Sequence, residues 1–357
     1  MKKILIAAMA IAAIAISSCK KNDSGIPPFN FDDKSSTLLM DAFFEQHAPQ
    51  NERFTLDAAS GGTITLASGT KINFPANAFK TLNGAAVSGS VTIFARDILK
   101  ASDMIVADKP TLTSDGAMLE SFGEIFVKAE QNNNELVLNA PKPAAVIVPI
   151  GAGANGQQRE IPMWAGDSLI NFTTEGYNHE NIQVSLMTQI GVRPGITWDQ
   201  IAGFGVASPT TTNFPLDALG QWRNCDALYN DPRPKTTVLG YFGDKFNTET
   251  GNNYSSSDPS LLFFKTKGSN TLIKMYNVIL APDAGKEGLL SYQNSIPVGQ
   301  EGTFLAMSAK NGKFYAAMRD VTIPAPASGK TFAGFSFNLS EVSESQLLSL
   351  INQMNTK

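Results

Sequence analysis

The sequence predicts an all-β protein with two antiparallel β-sandwich domains, a short N-terminal helix and a C-terminal helix. Through most of the chain, short segments of alternating apolar and polar residues are separated by Gly, Asn, Pro and Ser, which is the pattern of strands joined by turns. Charged residues form only 17% of the chain, a composition that suits an exported all-β protein. Apolar residues at helical spacing are confined to two short stretches, one near each end.

Residues 1–18 have the pattern of a secretory signal peptide. Lys2 and Lys3 precede the apolar run ILIAAMAIAAIAI, which is too short and too rich in Ala to be a good membrane span. A buried core helix is the alternative interpretation of this run. Its position at the N-terminal end, behind two lysines, favours the signal peptide.

The signal peptide ends in AISSC, and Cys19 with the small residues before it resembles the lipobox of bacterial lipoproteins. The resemblance implies cleavage before Cys19 and acylation of its sulfur and amine. The alternative is an ordinary signal peptide that is cut nearby and leaves Cys19 free. Each buried methylene adds about 0.8 kcal/mol of membrane affinity, so two or three acyl chains would anchor the protein durably. We therefore expect an outer-membrane lipoprotein of a bacterial cell envelope, on the periplasmic face or the cell surface.

The charge of the chain argues against a nucleic-acid partner. Without Lys2 and Lys3, the remaining 339 residues carry 26 basic and 32 acidic side chains, a net charge of −6. Nucleic-acid binding needs a basic face. A chain of this length favours two domains over one.

Residues 19–52 are predicted to be a polar tether followed by a short amphipathic helix. Ser35 or Ser36 can cap that helix, whose apolar face we expect to pack on the first domain rather than to bind a partner. The apolar residues at helical spacing are Leu38, Leu39, Phe43 and Phe44.

Residues 53–175 are predicted to form the first sandwich. In GGTITLASGTKINFP, two alternating runs flank Ala67, Ser68 and Gly69, which indicates a hairpin whose loop uses a positive φ at Gly69. Gly151, Gly153 and Gly156 have the GxGxxG spacing of a dinucleotide site. The alternating, Pro-containing run that follows them predicts a strand instead of the required helix, so no cofactor is expected.

GGTITLASGTKINFPANAF (61–79) is similar to the opening of the β-sandwich module of ankyrins, netrin receptors and zonula-occludens proteins. The later DMIVADKPTLTSDGAMLESFGEIFVKA resembles versions of that module in exported proteins of Bacteroidetes-type bacteria, and LGQWRNCDALYN resembles a stretch that follows it there. The similarity covers residues 54–150. It implies a module that mediates protein contacts and carries no catalytic residues.

Residues 176–220 form a connecting segment that either closes the first domain or links it to the second. Residues 221–357 are predicted to be a second sandwich, with an Asn311-Gly312 type I′ turn and a C-terminal helix that covers an apolar face. Ser343 and Gln346 can form a capping box at the start of this helix.

Catalytic and metal-binding patterns are mostly missing from the sequence. His47 and His179 are its only histidines, and neither has a second ligand at metal spacing. GxSxG, HExxH and EF-hand patterns are absent. A glycosidase-type carboxylate pair has no local spacing rule, so a glycan hydrolase stays a minor alternative. We expect a protein that is not an enzyme and has no metal or cofactor.

Cys225 would have no intramolecular disulfide partner once Cys19 is acylated. An exposed thiol would invite intermolecular pairing, so we expect Cys225 to be buried beside Trp222 or Leu228 rather than to act as a nucleophile.

The residues together favour a non-enzymatic, lipid-anchored envelope protein that displays an interaction surface to another envelope protein. The alternative is a glycan-binding outer-membrane lipoprotein that serves carbohydrate uptake. In that case Trp164, Trp198 and Trp222 would be the sugar-stacking platforms, although burial is the commoner fate of a tryptophan in a sandwich.

The lipobox generates the first testable prediction. Changing Cys19 to Ala removes the acceptor of the acyl chains, so the protein should move from the membrane pellet to the soluble fraction. Fractionation and radioactive palmitate labelling measure this. Palmitate labelling of the Cys19→Ala protein would show that the anchor is elsewhere.

Overall fold

The computed structural model describes residues 35–141, 143–149, 159–167, 177–179, 182–185, 189–190, 193–194, 196–242, 246, 259–275, 277–279 and 287–357. The predicted signal peptide, Cys19 and the tether up to residue 34 lie outside these ranges. Gly151, Gly153 and Gly156 also lie outside them.

The described chain contains three α-helices, one 3₁₀ turn and many short strands. The helices are α1 Ser35–His47, α2 Ala101–Val106 and α3 Glu344–Gln353, and the 3₁₀ turn is Met354–Thr356. The first strands are β1 Glu52–Asp57, β2 Gly62–Thr65, β3 Lys71–Phe74, β4 Phe79–Thr81, β5 Ser90–Ile98, β6 Leu119–Gln131, β7 Asn134–Leu138, β8 Ala144–Pro149 and β9 Arg159–Asp167. The middle strands are β10 Tyr177–His179, β11 Ile182–Ser185, β12 Gln189–Ile190, β13 Arg193–Pro194, β14 Thr197–Ala207, β15 Thr211–Leu216, β16 Trp222–Leu228 and β17 Lys235–Tyr241. The last strands are β18 Leu261–Thr266, β19 Leu272–Lys274, β20 Asn277–Ile279, β21 Gly288–Leu290, β22 Ile296–Pro297, β23 Glu301–Lys310, β24 Lys313–Thr322, β25 Phe332–Ser336 and β26 Ser340–Val342.

Twelve of the described strands form an antiparallel sheet that nearly closes on itself. The strand order is β1-β5-β6-β16-β9-β14-β15-β8-β3-β2, with β7 between β6 and β4. The two ends of this order meet where Gly61 N donates to Asp57 O at 2.9 Å. Its interior is an apolar core that includes Ile72, Phe74, Phe79, Ile93, Val127 and Val146. Burial of these apolar side chains is what favours closure of the sheet.

Two further sheets lie beside the nearly closed sheet. The five-stranded sheet has the order β19-β18-β23-β24-β26, and the seven-stranded sheet has the order β10-β11-β20-β21-β17-β22, with β25 paired to β17. The short strands β12 and β13 pair with each other. The all-β prediction is therefore confirmed, in the form of one nearly closed antiparallel sheet and two further sheets.

The five-stranded sheet is the middle layer, because its strands β18, β19 and β23 are buried on both faces. Successive side chains of a strand point to opposite faces. Phe263 and Leu305 pack into the core shared with Trp164, Trp198 and the helices. Phe264 and Phe304 pack into a second core, with Val238 and Phe335 of the seven-stranded sheet among its members. This double burial explains the uninterrupted apolar runs LLFF and FLAM in β18 and β23.

One segment, residues 108–113, ties the nearly closed sheet to the five-stranded sheet. Asp108 has a φ of 53°, a left-handed conformation that Asp tolerates better than most residues. The Lys274 Nζ donates to its two carboxylate oxygens at 2.6 and 2.8 Å. Thr111 N donates to Leu272 O at 2.8 Å, and Trp198 N donates to Leu112 O at 3.0 Å. We call residues 108–113 the crossing segment.

Both terminal helices pack on the core beside the five-stranded sheet. In α1, Met40, Phe43 and Phe44 are buried, whereas Leu38 is 58% exposed. The Phe43 ring lies 5.3 Å from the Phe314 ring of β24. The apolar face of α1 therefore shares a core with α2, which belongs to the predicted first domain, and also meets the five-stranded sheet.

The predicted C-terminal helix and its capping box are confirmed. Gln346 N donates to Ser343 Oγ, and Ser343 N donates back to the Gln346 side chain at 2.8 Å. Leu347 and Ile351 are fully buried, so α3 covers an apolar face as expected.

Both predicted hairpins are also confirmed. β2 pairs with β3, and Gly69 in their loop has a φ of 94°. β23 pairs with β24 through a two-residue turn in which Asn311 and Gly312 both have positive φ, as a type I′ turn requires.

The predicted domain limits do not coincide with the change of sheet. β14 and β15, from the connecting segment 176–220, belong to the nearly closed sheet. β16, predicted to open the second domain at residue 221, lies between β6 and β9 of the same sheet. The place of β14 and β15 agrees with the alternative in which the connecting segment closes the first domain. Strand spacing along the chain cannot show which distant strand a segment joins, and the limits at 176 and 221 stay predictions.

Candidate functional site

A cleft of about 840 Å³ opens at the junction of the nearly closed sheet and the five-stranded sheet. Its walls come from residues 99–101, 120–122, 267–270 and 355–357. Four lysines from distant parts of the chain line it, and we call it the lysine cleft. They are Lys100, Lys265, Lys267 and Lys357.

The floor of the lysine cleft is a bulge in β6. The pairing of β6 with β16 shifts register between Asn224 and Asp226, beside Gly123 with its φ of +125°. A bulge leaves one backbone amide without its partner on the neighbouring strand. Here Asp226 Oδ1 accepts the hydrogen bond of that amide, from Phe122 N at 3.0 Å. The bulge places Ser121 and Phe122 at the cleft.

The turn after β18 closes the cleft against the nearly closed sheet. Asn270 Nδ2 donates to Leu99 O at 3.1 Å and to Ser121 O at 3.3 Å. Ser121 N donates in return to Asn270 O at 3.1 Å. These bonds cross between two sheets, so the cleft wall is fixed by tertiary structure.

Lys265 stabilises this turn from inside. Its Nζ donates to Thr266 O at 3.0 Å, to Ser269 O, and to Lys357 O at 3.4 Å. Burial lowers the pKa of Lys265 to about 8, and the charge of Glu120 opposes that effect. Lys265 is held in one position because its donors are bound to carbonyl groups. It contributes its charge to the cleft from that fixed position.

The other cleft lysines are accessible. Lys100 is exposed at the start of α2. Lys267 pairs with Glu301 at 2.6 Å and Lys357 pairs with Asp320 at 3.0 Å. The one acidic residue among the described lining residues is Glu120, which pairs with Arg159 at 3.3 Å. Among the described residues, the positive charge of the cleft that is not already paired with a carboxylate therefore comes from Lys100 and Lys265, on a chain whose net charge is −4.

A smaller recess of about 400 Å³ adjoins the lysine cleft. It shares Lys267 and Lys357 with the cleft, and Glu301 and Asp320 lie on its own wall. The two lysines thus stand at the boundary between a basic compartment and one that contains carboxylates.

A buried polar cluster lies directly behind the cleft floor. Glu124 and Asn224 are register partners on β6 and β16, and neither is exposed. Both carboxyl oxygens of Glu124 lack a hydrogen-bond partner among the described residues. Burial raises the pKa of Glu124 well above its usual range, the charge of Asp226 adds to this, and Lys109 opposes it.

Asp226 is the second acid of this cluster. Burial raises its pKa to about 8, although hydrogen bonds from Asn224, Phe122 and Ser121 act in the opposite direction. Asp226 and Glu124 are closed off from solvent. Both acids have raised pKa values and lie where a substrate cannot reach them, so they are not placed as the acid and the base of an active site.

The three tryptophans lie in the core, which corrects the idea that they are stacking platforms. Trp164, Trp198 and Trp222 are 3%, 0% and 7% exposed. Trp164 Nε1 donates to Asp226 O at 2.8 Å and Trp198 Nε1 donates to Pro110 O at 3.0 Å. Trp222 packs beneath Arg96 and Lys109, whose charged groups lie 5.0 and 5.7 Å from its ring centroid. Their ring faces are occupied by protein.

Cys225 is buried and free, as predicted. Its neighbours differ from those expected, since its Sγ faces Ile161 O at 3.8 Å and lies so close to Gly205 that a Cβ there would be 2.2 Å away. Trp222 belongs to a different core cluster and Leu228 is half exposed. Burial raises the pKa of the Cys225 thiol, and Asp226 adds to the effect, so the thiolate that a nucleophile needs is disfavoured.

His47 forms an ion pair or hydrogen bond with Glu344 at 3.1 Å, which links α1 to α3. The side chain of His179 lies outside the described residues, as does Cys19. In the part of the chain that is described, no group of three or more His, Cys, Asp or Glu side chains is arranged to hold a metal ion. No described helix has the length and apolarity needed to cross a bilayer.

Sequence reasoning missed the lysine cleft. A local signal was present in SLLFFKTKG, where Lys265 ends an apolar strand and Lys267 follows two residues later. A lysine on a strand that is buried on both sides must find acceptors or a cleft. Lys100 and Lys357 carry no comparable signal.

Comparisons with protein-family models, with curated proteins and with solved structures found no match. The resemblance of residues 61–79 to the ankyrin-type module therefore stays a prediction.

The buried acids give a pH prediction. Asp226 loses its proton near its ordinary pKa of 3.8 when unfolded but near pH 8 when folded. The folded state therefore binds more protons between these values, and its free energy of unfolding must fall as the pH rises through this range. In wild type we expect a fall of about 1 kcal/mol or more from about pH 5 to about pH 7.5, since one full proton changes stability by about 1.4 kcal/mol per pH unit.

Urea unfolding at both pH values measures this difference. Asp226→Asn keeps an oxygen for Phe122 N but cannot ionise, so its stability should fall less steeply than that of wild type. Asp57→Asn is the matched control, because hydrogen bonds from Ser60 lower the pKa of Asp57 and it titrates below this range. An equal slope in wild type and Asp226→Asn would contradict the assignment.

Proposed function

We propose that the protein is a non-enzymatic lipoprotein of a bacterial cell envelope that binds an acidic segment of another envelope protein in the lysine cleft. The observation that carries the proposal is the charge of the cleft. Lys100, Lys265, Lys267 and Lys357 converge on it from three regions of the chain, with Glu120 as the one acid in its described lining. Clefts lined by one sign of charge raise the local concentration of ligands of the opposite sign.

The lining favours recognition of a polar chain. The polar residues Ser68, Ser121, Ser269 and Asn270 line the cleft together with the lysines, and their oxygen atoms have further lone pairs that can accept hydrogen bonds. Phe122 is the one aromatic residue among the described lining residues, and it is 7% exposed. A glycan site would use an exposed ring face, so the protein-binding role is better supported than carbohydrate uptake.

A binding role is also supported by the positions of the acids. Glu124 and Asp226 lie behind the floor without exposed surface. A hydrolase of the two-carboxylate type needs both groups beside the substrate.

The lipid anchor and the two-domain organisation belong to the same proposal. Acyl chains on Cys19 would hold the protein at the outer membrane, and the polar tether would carry the folded part away from the bilayer. We take the five-stranded and seven-stranded sheets, which face each other across a core that includes Phe264 and Phe335, as the predicted second sandwich. The nearly closed sheet then takes the place of the first.

Binding of fluorescein-labelled octaglutamate, followed by anisotropy, tests the proposal. Wild type should bind it, and binding should weaken as salt is added. Lys100→Gln with Lys267→Gln should reduce affinity by about tenfold, which corresponds to about 1.4 kcal/mol. The control pair Lys235→Gln with Lys313→Gln removes the same charge outside the cleft and should change affinity by less than about twofold.

Two outcomes would overturn the proposal. One is failure of wild type to bind octaglutamate at low salt. The other is an equal loss of affinity in the cleft pair and the control pair, because this would show that net charge rather than the cleft attracts the peptide. Tighter binding of single-stranded DNA than of octaglutamate would contradict the choice of a protein partner.

A further inference from the structure

The boundary between the lysine cleft and the smaller recess consists of two ion pairs. Lys267 Nζ lies 2.6 Å from Glu301 Oε2. Lys357 Nζ donates to both oxygens of Asp320 at 3.0 Å, and Thr303 Oγ1 also donates to Asp320 at 2.6 Å. Lys267 and Lys357 are therefore each already paired with a carboxylate of the chain itself, at the place where an acidic ligand would bind.

The carboxylates of these two ion pairs are placed where carboxylates of a ligand can replace them. The exposed fractions of the side chains are 68% for Lys267, 55% for Glu301, 68% for Asp320 and 29% for Lys357. Solvent-exposed ion pairs of this kind are weak, so a carboxylate from outside can replace the internal one at little cost. Lys265 differs, because it is buried and its donors are bound to backbone carbonyls.

The positions of the two acids define a spacing. β23 pairs with β24 in regular register, with Glu301 opposite Thr322 and Thr303 opposite Asp320. Glu301 and Asp320 are therefore diagonal neighbours on one face of the sheet, with about 7–8 Å between their backbone positions. In an extended peptide, residues i and i+2 lie on one side of the chain about 6.6 Å apart. Acidic residues at alternate positions of an extended segment therefore come close to the spacing of Glu301 and Asp320, within about 1.5 Å.

We propose that Glu301 and Asp320 are internal competitors, which occupy Lys267 and Lys357 in the empty protein and are displaced by an extended segment with acidic residues at alternate positions. This inference rests on the proposed function of the lysine cleft and specifies its ligand. The two acids make weak ligands bind poorly, because a ligand with a single carboxylate only replaces one internal ion pair by one ion pair to itself. A ligand with two correctly spaced carboxylates frees both lysines at once and also meets Lys100.

Two labelled peptides of identical composition test the spacing. One has the sequence Glu-Ser repeated four times, with carboxylates at i and i+2. The other has Glu-Glu-Ser-Ser repeated twice, in which no two glutamates are two residues apart. The full-length protein should bind the alternating peptide at least about threefold more tightly.

Substitution of the competitors tests the mechanism. Glu301→Gln and Asp320→Asn should each raise affinity for the alternating peptide by about threefold, and the double variant by about tenfold. Glu341→Gln is the matched control, since Glu341 pairs with Lys313 at 2.8 Å, with both side chains about half exposed. Lys313 is seven residues from Asp320 on β24, about 23 Å along the strand. This control adds the same charge and should change affinity by less than about twofold.

The outcomes separate the two proposals. If wild type binds neither peptide nor octaglutamate, the proposed function fails. If wild type binds octaglutamate but does not distinguish the two peptides, or if Glu301→Gln and Asp320→Asn gain no more affinity than Glu341→Gln, the cleft stands and the competitors are disproved. Far-UV circular dichroism of each variant verifies that the fold is retained.

Discussion

The buried ion pair between Asp108 and Lys274 is the constraint on which the arrangement of layers depends. Neither side chain is more than 5% exposed, and burial lowers the pKa of Lys274 while the Asp108 carboxylate opposes that shift. Removal of one partner from such a pair leaves an uncompensated charge, at a cost of about 3–5 kcal/mol. The pair joins Asp108, which has a left-handed backbone conformation at the start of the crossing segment, to Lys274 of β19. The pair therefore opposes separation of the crossing segment from β19 of the five-stranded sheet.

The lysine cleft follows from that placement. Once the crossing segment joins the two sheets, the turn 267–270 comes within hydrogen-bond distance of Leu99 and Ser121. The bulge of β6, held by Asp226, then faces Lys265 and the end of α3. The buried acids thus serve the site indirectly, because Asp226 supports the backbone of the floor while its carboxyl group stays out of the solvent. Structural and functional parts of the fold meet in one short stretch of β6.

Local features were readable from the sequence, and the assembly of sheets was not. Alternation predicted the β2–β3 hairpin, Asn311-Gly312 predicted a type I′ turn, and Ser343 with Gln346 predicted the cap of α3, because each depends on neighbours within a few residues. Asp108 and Lys274 are 166 residues apart, and no local pattern relates them. The same holds for Lys100 and Lys267 in the cleft. The tryptophans illustrate a further limit. The sequence around an aromatic residue in a strand does not show whether its ring face meets a sugar or other side chains, as the ring of Trp222 meets Arg96 and Lys109.

The central claim is that the crossing segment makes the nearly closed sheet and the five-stranded sheet one cooperative unit. Native-state hydrogen exchange tests it most directly, by comparing the opening free energies of amides in β6, in β23 and in the crossing segment. The account predicts that the slowest amides of β6 and β23 and the amides of Thr111 and Trp198 exchange only through global unfolding, with one common free energy. Exchange of the β23 amides through a separate opening of lower free energy, while β6 stays protected, would contradict it.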